Sequence, residues 1–195
     1  MIAVVILLVA AVVWRVLLGV THSHDLGWLH NFAPLSAIAL CGAAFLPRRL
    51  ALILPLAALF VSDLFLNFYY SREHGGVSLL SFEMVARYLA LALIVGIGWK
   101  LRESRRASLL MGGSVVASVV FYLVTNTGSW ITEPRYARSF AGWIQALTSG
   151  LPEYPSTLVF YRHTLISDIL FTALFIVCIR FANRSPEPVV AHSQA

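Results

Sequence analysis

Charge is nearly confined to the gaps between six apolar stretches of this chain, and the exceptions lie at similar depth. Arg15, Asp63, Glu83, Arg87, Arg162 and Asp168 each fall inside or at the rim of a stretch otherwise fit for lipid. A charge in hydrocarbon is costly, so it normally faces a partner, a cavity or a substrate. The pattern is that of a small polytopic membrane protein, all-α in fold class, with a polar layer where function is to be sought.

Composition agrees. Of the 195 residues, 59% are hydrophobic and 12% charged, against about 25% charged in an ordinary soluble domain. The net charge of +5 does not point to nucleic acid, because Lys and Arg sit at the ends of the apolar stretches and set topology instead. Cys41 and Cys178 both lie in apolar stretches without CxxC or Cys/His spacing. They read as small packing residues, and no metal or cofactor is expected.

Six spans can be drawn, each near the roughly 20 residues needed to cross a bilayer. They run at about Ile2–Val20, Phe32–Leu46, Leu50–Tyr70, Val77–Trp99, Ala107–Asn126 and Thr157–Phe181. The first lacks a basic leader and a small-x-small site near Val20, so it reads as an uncleaved span. Residues 1–182 form one membrane domain, and the polar stretch 183–195 reads as a disordered cytoplasmic tail. Arg48, Arg49, Lys100, Arg102, Arg105, Arg106, Arg180 and Arg184 fall on one side of this scheme. That side, with both termini, is expected to be cytoplasmic. Between spans five and six, Phe140, Trp143, Ile144 and Leu147 recur at helical spacing before Gly150 and Pro152. The expectation is a short amphipathic helix lying in the outer interface, or a lid over an outward-facing site.

Counting 1.5 Å per residue, the six embedded charges lie between the outer end of their spans and the midplane. Each has an ordinary reading. Glu83 and Arg87, at i and i+4, can pair along one helix. Arg15 and Arg162 can reach headgroups. Asp63 and Asn67 can bond a neighbouring helix. The shared depth favours a solvated cavity open to the outside. Aromatic residues crowd the same end, among them Trp28, Phe32, Tyr69, Trp130, Trp143 and Tyr161, as an interfacial belt or as walls of a pocket for a ring-bearing ligand. His22-x-His24 with Asp25 reads as a solvated loop, with an exposed transition-metal site as the alternative.

Several local patterns carry a resemblance: Asn31-Phe32-Ala33-Pro34 leading to Ala37–Gly42, Leu54-Pro55-Leu56 leading to Ser62-Asp63, Thr125–Trp130, and Arg162-His163-Thr164-Leu165 with Asp168. Together they resemble a family of uncharacterised bacterial integral membrane proteins with an N-F-x-P pattern. That family is similar in outline to the S components of energy-coupling factor vitamin transporters. The resemblance implies a six-helix bundle in the bacterial inner membrane that captures a small molecule at its outward face. It carries over Asn31, Asp63, Asn126, Trp130, Arg162 and Asp168 as site positions. The small-xxx-small docking pattern that S components carry on their first helix is missing from Ile2–Val20, which puts the energising partner in doubt.

The expected function is therefore binding or transport of a small vitamin-like or ring-bearing solute, without chemistry. The substrate-binding set is Arg15, Asn31, Asp63, Asn67, Glu83, Arg87, Asn126, Trp130, Arg162, His163 and Asp168. The alternatives are a non-catalytic membrane assembly subunit and an intramembrane enzyme using His163 with Asp168 or Glu83 with His74. Against the enzyme, no GxSxG-type nucleophile motif is present.

Overall fold

The computed structural model describes residues 2–20, 34–74, 82–104 and 106–182. These form helices α1 (Ile2–Val20), α2 (Leu35–Phe45), α3 (Arg48–His74), α4 (Phe82–Leu101), α5 (Ala107–Thr132), α6 (Phe140–Leu147) and α7 (Thr157–Ala182), with no strand among the described residues. The all-α expectation holds. Asn31, the loop histidines His22, His24 and His30, and the tail lie outside the described residues.

Among the described residues, four helices, α3, α4, α5 and α7, are long and apolar enough to cross a membrane. The chain is thus a multi-pass membrane protein. α2 differs from its expected span. Its 11 residues rise about 16 Å, roughly half of a hydrocarbon core. Pro34 precedes it and, having no N–H and a fixed φ, suits a helix start. At the other end the Leu46 N–H closes on the Gly42 carbonyl at 2.8 Å, and the Arg102 guanidinium donates to the Leu46 carbonyl at 2.6 Å.

α2 is also the centre of the bundle. It packs against α1, α3, α4, α5 and α7, and eight of its residues, from Ser36 to Ala44, are buried. A helix that is apolar all round and rich in Ala, Ser and Gly can be enclosed closely on every side. Leu40, Cys41 and Ala43 from α2, with Leu46 just after it, join Leu59, Leu91, Ile94, Val95, Ala117 and Phe175 in one core. The closest approach is to α4, where a β-carbon on Gly98 would sit 2.5 Å from the Leu40 carbonyl oxygen and 2.6 Å from the Ala43 β-carbon.

α5 runs two turns beyond its expected end, so Thr127–Thr132 is helical. The chain then folds back through α6 as a tied cap. Ser139 accepts from the Gly142 N–H, which starts α6. Trp130 Nε1 donates to the Ala137 carbonyl at 2.9 Å, Trp143 Nε1 to Thr127 Oγ1 at 3.0 Å, and the Tyr122 hydroxyl to the Leu147 carbonyl. Gly150 takes a φ of 71°, a region that favours glycine, to turn the chain toward α7. On the surface of the cap Arg135 pairs with Glu133 at 2.8 Å and with Glu153 at 3.3 Å. The guanidinium holds the Glu133 carboxyl well below the usual carboxylate range.

Because Gly98 abuts backbone, Gly98→Ala must push α2 and α4 apart and is expected to cost about 1–3 kcal/mol. Gly96, two residues earlier and facing open space, tolerates Ala without loss. Thermal unfolding of the two purified variants in the same detergent checks the difference; equal melting temperatures would contradict the close α2–α4 contact.

Candidate functional site

Two polar assemblies lie within the apolar bundle, and they are separate. The first joins α1, α3 and α4. Arg15 donates to the Ser62 hydroxyl and, at 2.5 Å, to Asp63 Oδ1, and Arg87 reaches the same oxygen at 3.0 Å. Asp63 is 4% exposed, and its Oδ2 is buried without a hydrogen-bond partner among the described residues. Two cations share one carboxylate, so the cluster carries a net positive charge. Arg87, the more exposed arginine, places that excess at its edge.

The second assembly lies between α5 and α7. On α7, Tyr161, Thr164, Asp168 and Thr172 follow at steps of three and four residues. On α5, so do Ser114, Ser118, Tyr122 and Thr125. Each set therefore lines one helix face. The helices run antiparallel, and the two stripes meet rung by rung. Thr172 donates to Ser114 Oγ at 3.0 Å, Ser118 donates to Asp168 Oδ2, and the rings of Tyr122 and Tyr161 lie 4.6 Å apart. Asp168 Oδ1 accepts the Ala37 N–H at 3.0 Å, which ties the ladder to the start of α2. Asp168, Ser118, Ser114 and Thr172 are all fully buried.

Asp168 is the twelfth residue of α7, about 16 Å from its start and so near mid-membrane. The start of α2 is held at that same depth. The first N–H groups of a helix have no partner within it, and in lipid water does not supply one. The carboxylate does, and the positive end of the helix dipole favours its charge.

At its α6 end the ladder opens into a cleft of about 190 Å³ lined by Phe121, Tyr122, Thr125, Asn126, Tyr161 and Thr164, with Thr157 and Phe160 completing the wall. No charged residue lines it among the described residues. The Asn126 amide donates along its own helix to the Tyr122 carbonyl at 2.8 Å, and its oxygen is the acceptor it can offer to a solute.

The sequence-derived set thus divides. Arg15, Asp63 and Arg87 come together, with Asn67 half-buried one turn along α3. Asp168 belongs to the α5–α7 ladder and Asn126 to the cleft above it. Trp130 belongs to the cap, packed against Tyr136, Ala146 and Leu151. Glu83 and Arg162 are exposed, and His163 is half-buried outside the cleft lining. The six charges do not converge on one cavity. Arg87 reaches Asp63 on another helix, where an i, i+4 pair with Glu83 was one expectation. Sequence reasoning passed over Ser118, Tyr122 and the Ala37 amide as site groups; the i, i+4 run Ser114–Ser118–Tyr122 is the signal that was available.

Removing Asp63 leaves two guanidinium groups in an apolar bundle without their anion. Asp63→Ala is expected to cost about 3–5 kcal/mol, the usual loss on breaking a buried pair. Arg87→Gln, which removes the more exposed of the two cations and leaves Asp63 paired with Arg15, costs far less. Asp63→Ala melting as high as Arg87→Gln in detergent would contradict the shared-carboxylate geometry.

Comparison with known proteins adds a family and no activity. No curated protein and no solved structure matches the chain. Residues 1–189 match DUF6580, a family of unknown function, and the chain belongs to that family.

Proposed function

We propose that the protein binds and transports a small, uncharged, ring-bearing solute through the α5–α7 cleft. The observation that carries this reading is the cleft itself: aromatic walls with an amide and hydroxyls, no charge among the described residues, and a cap fastened at its rim through the Tyr122 hydroxyl. Its volume is near the roughly 150 Å³ of a cavity that accepts benzene, so a solute of one or two rings fits. Stacking on Tyr122 and Tyr161 supplies affinity, and the hydroxyls of Thr125 and Thr164 with the Asn126 oxygen supply orientation.

The charge layer supports binding indirectly. Arg15, Asp63 and Arg87 fasten α1, α3 and α4 to one another and leave the cleft neutral. The proposed topology has six passages in a bacterial inner membrane, with α2 as the buried half of the second. Both ends are cytoplasmic, because Arg48, Arg49, Lys100, Arg102, Arg106 and Arg180 cluster at the end opposite α6. On that orientation α6 lies in the outer interface and the cleft faces outward. The likeness in outline to S components of vitamin transporters accords with this reading, and an energising module is the partner it implies.

Native mass spectrometry of the gently solubilised full chain tests the proposal. The expected result is a reproducible adduct of one small neutral molecule. Asn126→Leu or Tyr161→Leu weakens it roughly tenfold, the equivalent of about 1.4 kcal/mol from one lost contact. Arg162→Gln, on the exposed face of α7, leaves it unchanged. A bare protein mass favours the assembly-subunit reading, and an adduct indifferent to both cleft variants places binding elsewhere.

A further inference from the structure

Of the two buried carboxylates, Asp63 and Asp168, Asp168 is the one whose hydrogen-bonded shell holds no cation among the described residues. Its partners are a backbone N–H and a serine hydroxyl. Every element packed on α7 can be checked for groups that govern its charge. α2 brings the Cys41 thiol near it, and Ser36, beside Ala37, is buried at the same helix start. α5 contains a single titratable residue, Tyr122, stacked on Tyr161 of α7 itself. The single titratable residue of α1 is Arg15, which is bonded to Asp63 and Ser62, and α6 has none. α7's own Arg162 is exposed and its His163 half-buried, both above Asp168 toward the cleft end.

We propose that Asp168 is a proton-binding site, filled from the solute cleft, so that a proton is the coupling ion of transport. The link to transport rests on the solute-binding reading above; the proton site stands apart from it. Three observations combine. First, both protonation states can be satisfied in place. The ionised carboxylate accepts from Ala37 N–H and Ser118 O–H. A protonated carboxyl donates to Ser118 Oγ once that hydroxyl turns, since a serine both donates and accepts. Second, Asp168 lies one turn beyond Thr164 and two beyond Tyr161, which line the cleft. Hydroxyl groups therefore mark the route inward from the cleft to the buried carboxylate. Third, the same carboxylate holds the start of α2. Protonation exchanges a charge-assisted bond to Ala37 for a neutral and weaker one, so the proton is felt at the centre of the bundle.

A proton suits this shell better than a metal cation. Sodium needs several oxygen lone pairs turned inward, whereas the N–H of Ala37 points at the carboxylate from the positive end of a helix. The step is a simple transfer. A hydronium ion in the cleft gives up a proton and becomes water, an O–H bond forms on Asp168, and the Ser118 hydroxyl changes from donor to acceptor.

Infrared difference spectroscopy of the full chain in lipid, with protons as the sole titrant, tests this without a solute. The expected result is a protonated-carboxyl C=O band that grows as the pH is lowered. It is lost in Asp168→Asn, kept in Asp63→Asn and shifted in frequency in Ser118→Ala. That last variant keeps the test open if Asp168→Asn does not fold. Exchange of the band on transfer to heavy water slows in Thr164→Val, which interrupts the route from the cleft. The proposal is overturned by a band that survives Asp168→Asn or does not move in Ser118→Ala, by no band at any pH, or by a band moved by sodium and not by pH. Unaltered exchange in Thr164→Val removes the link to the cleft. A titrating Asp168 band with no solute adduct in the mass spectrum upholds the proton site and sinks the solute reading instead.

Discussion

The bond from Asp168 to the Ala37 N–H is the constraint on which the arrangement depends. A helix that begins at mid-membrane depth leaves its first N–H groups without partners, and hydrocarbon offers none. Pro34 removes one donor, its carbonyl accepts the Ile38 N–H at 3.0 Å, and Asp168 takes Ala37. With these donors satisfied, α2 can sit at the centre of the bundle as a short, small-residue helix touched by five others. Without an acceptor there, the start of α2 would be drawn toward the interface, and the Leu40–Ala43 contact with Gly98 would be lost with it.

The two embedded carboxylates perform different work, and their surroundings show why. Asp63 is neutralised by two arginines from different helices and so acts as a clasp. Removing one partner of such a group is costly because the remainder stays charged in a medium of low dielectric. Among the described residues Asp168 is held by dipoles, a backbone N–H and a hydroxyl. A charge held by dipoles can be discharged without stranding an opposite charge. Location follows the same division: the clasp joins α1, α3 and α4 away from the cleft, and the dipole-held carboxylate lies beneath it.

Much of the fold was legible in the sequence because hydropathy and charge placement act over whole segments. The spans at α3, α4, α5 and α7 and the short helix at Phe140–Leu147 follow from composition and spacing. The overrun of α5 was not legible, since Thr127–Thr132 is polar enough to read as loop and is helical because Trp130 and Thr127 are bonded to the returning chain. The half-length of α2 was only hinted at by Pro34 and Pro47. Depth alone placed Arg15, Asp63, Glu83, Arg87, Arg162 and Asp168 together, but depth does not state azimuth. Which of them meet depends on the order in which helices pack, a long-range property that no window of sequence contains. The ladder was missed for a related reason: Ser114, Ser118 and Thr172 in apolar helices have the signature of close packing, which they also serve.

The cap and the half-helix differ in how firmly they are held, and that difference indicates where a change of state would begin. α6 is tied by Tyr122, Trp143 and its own Ser139, and its approach by Trp130, with bonds to several parts of the chain. Opening it requires breaking these together. Among the described residues the start of α2 is joined to α7 through the Asp168 carboxylate, and the strength of its bond to the Ala37 N–H depends on the charge of that group. On the proposed transport reading, a cleft that admits a solute from one side and releases it on the other needs an element at mid-depth whose attachment can change. α2 meets that requirement, because its start is at the midplane, its other end is fixed at Leu46 by Arg102, and the carboxylate that holds it is within one turn of the cleft wall.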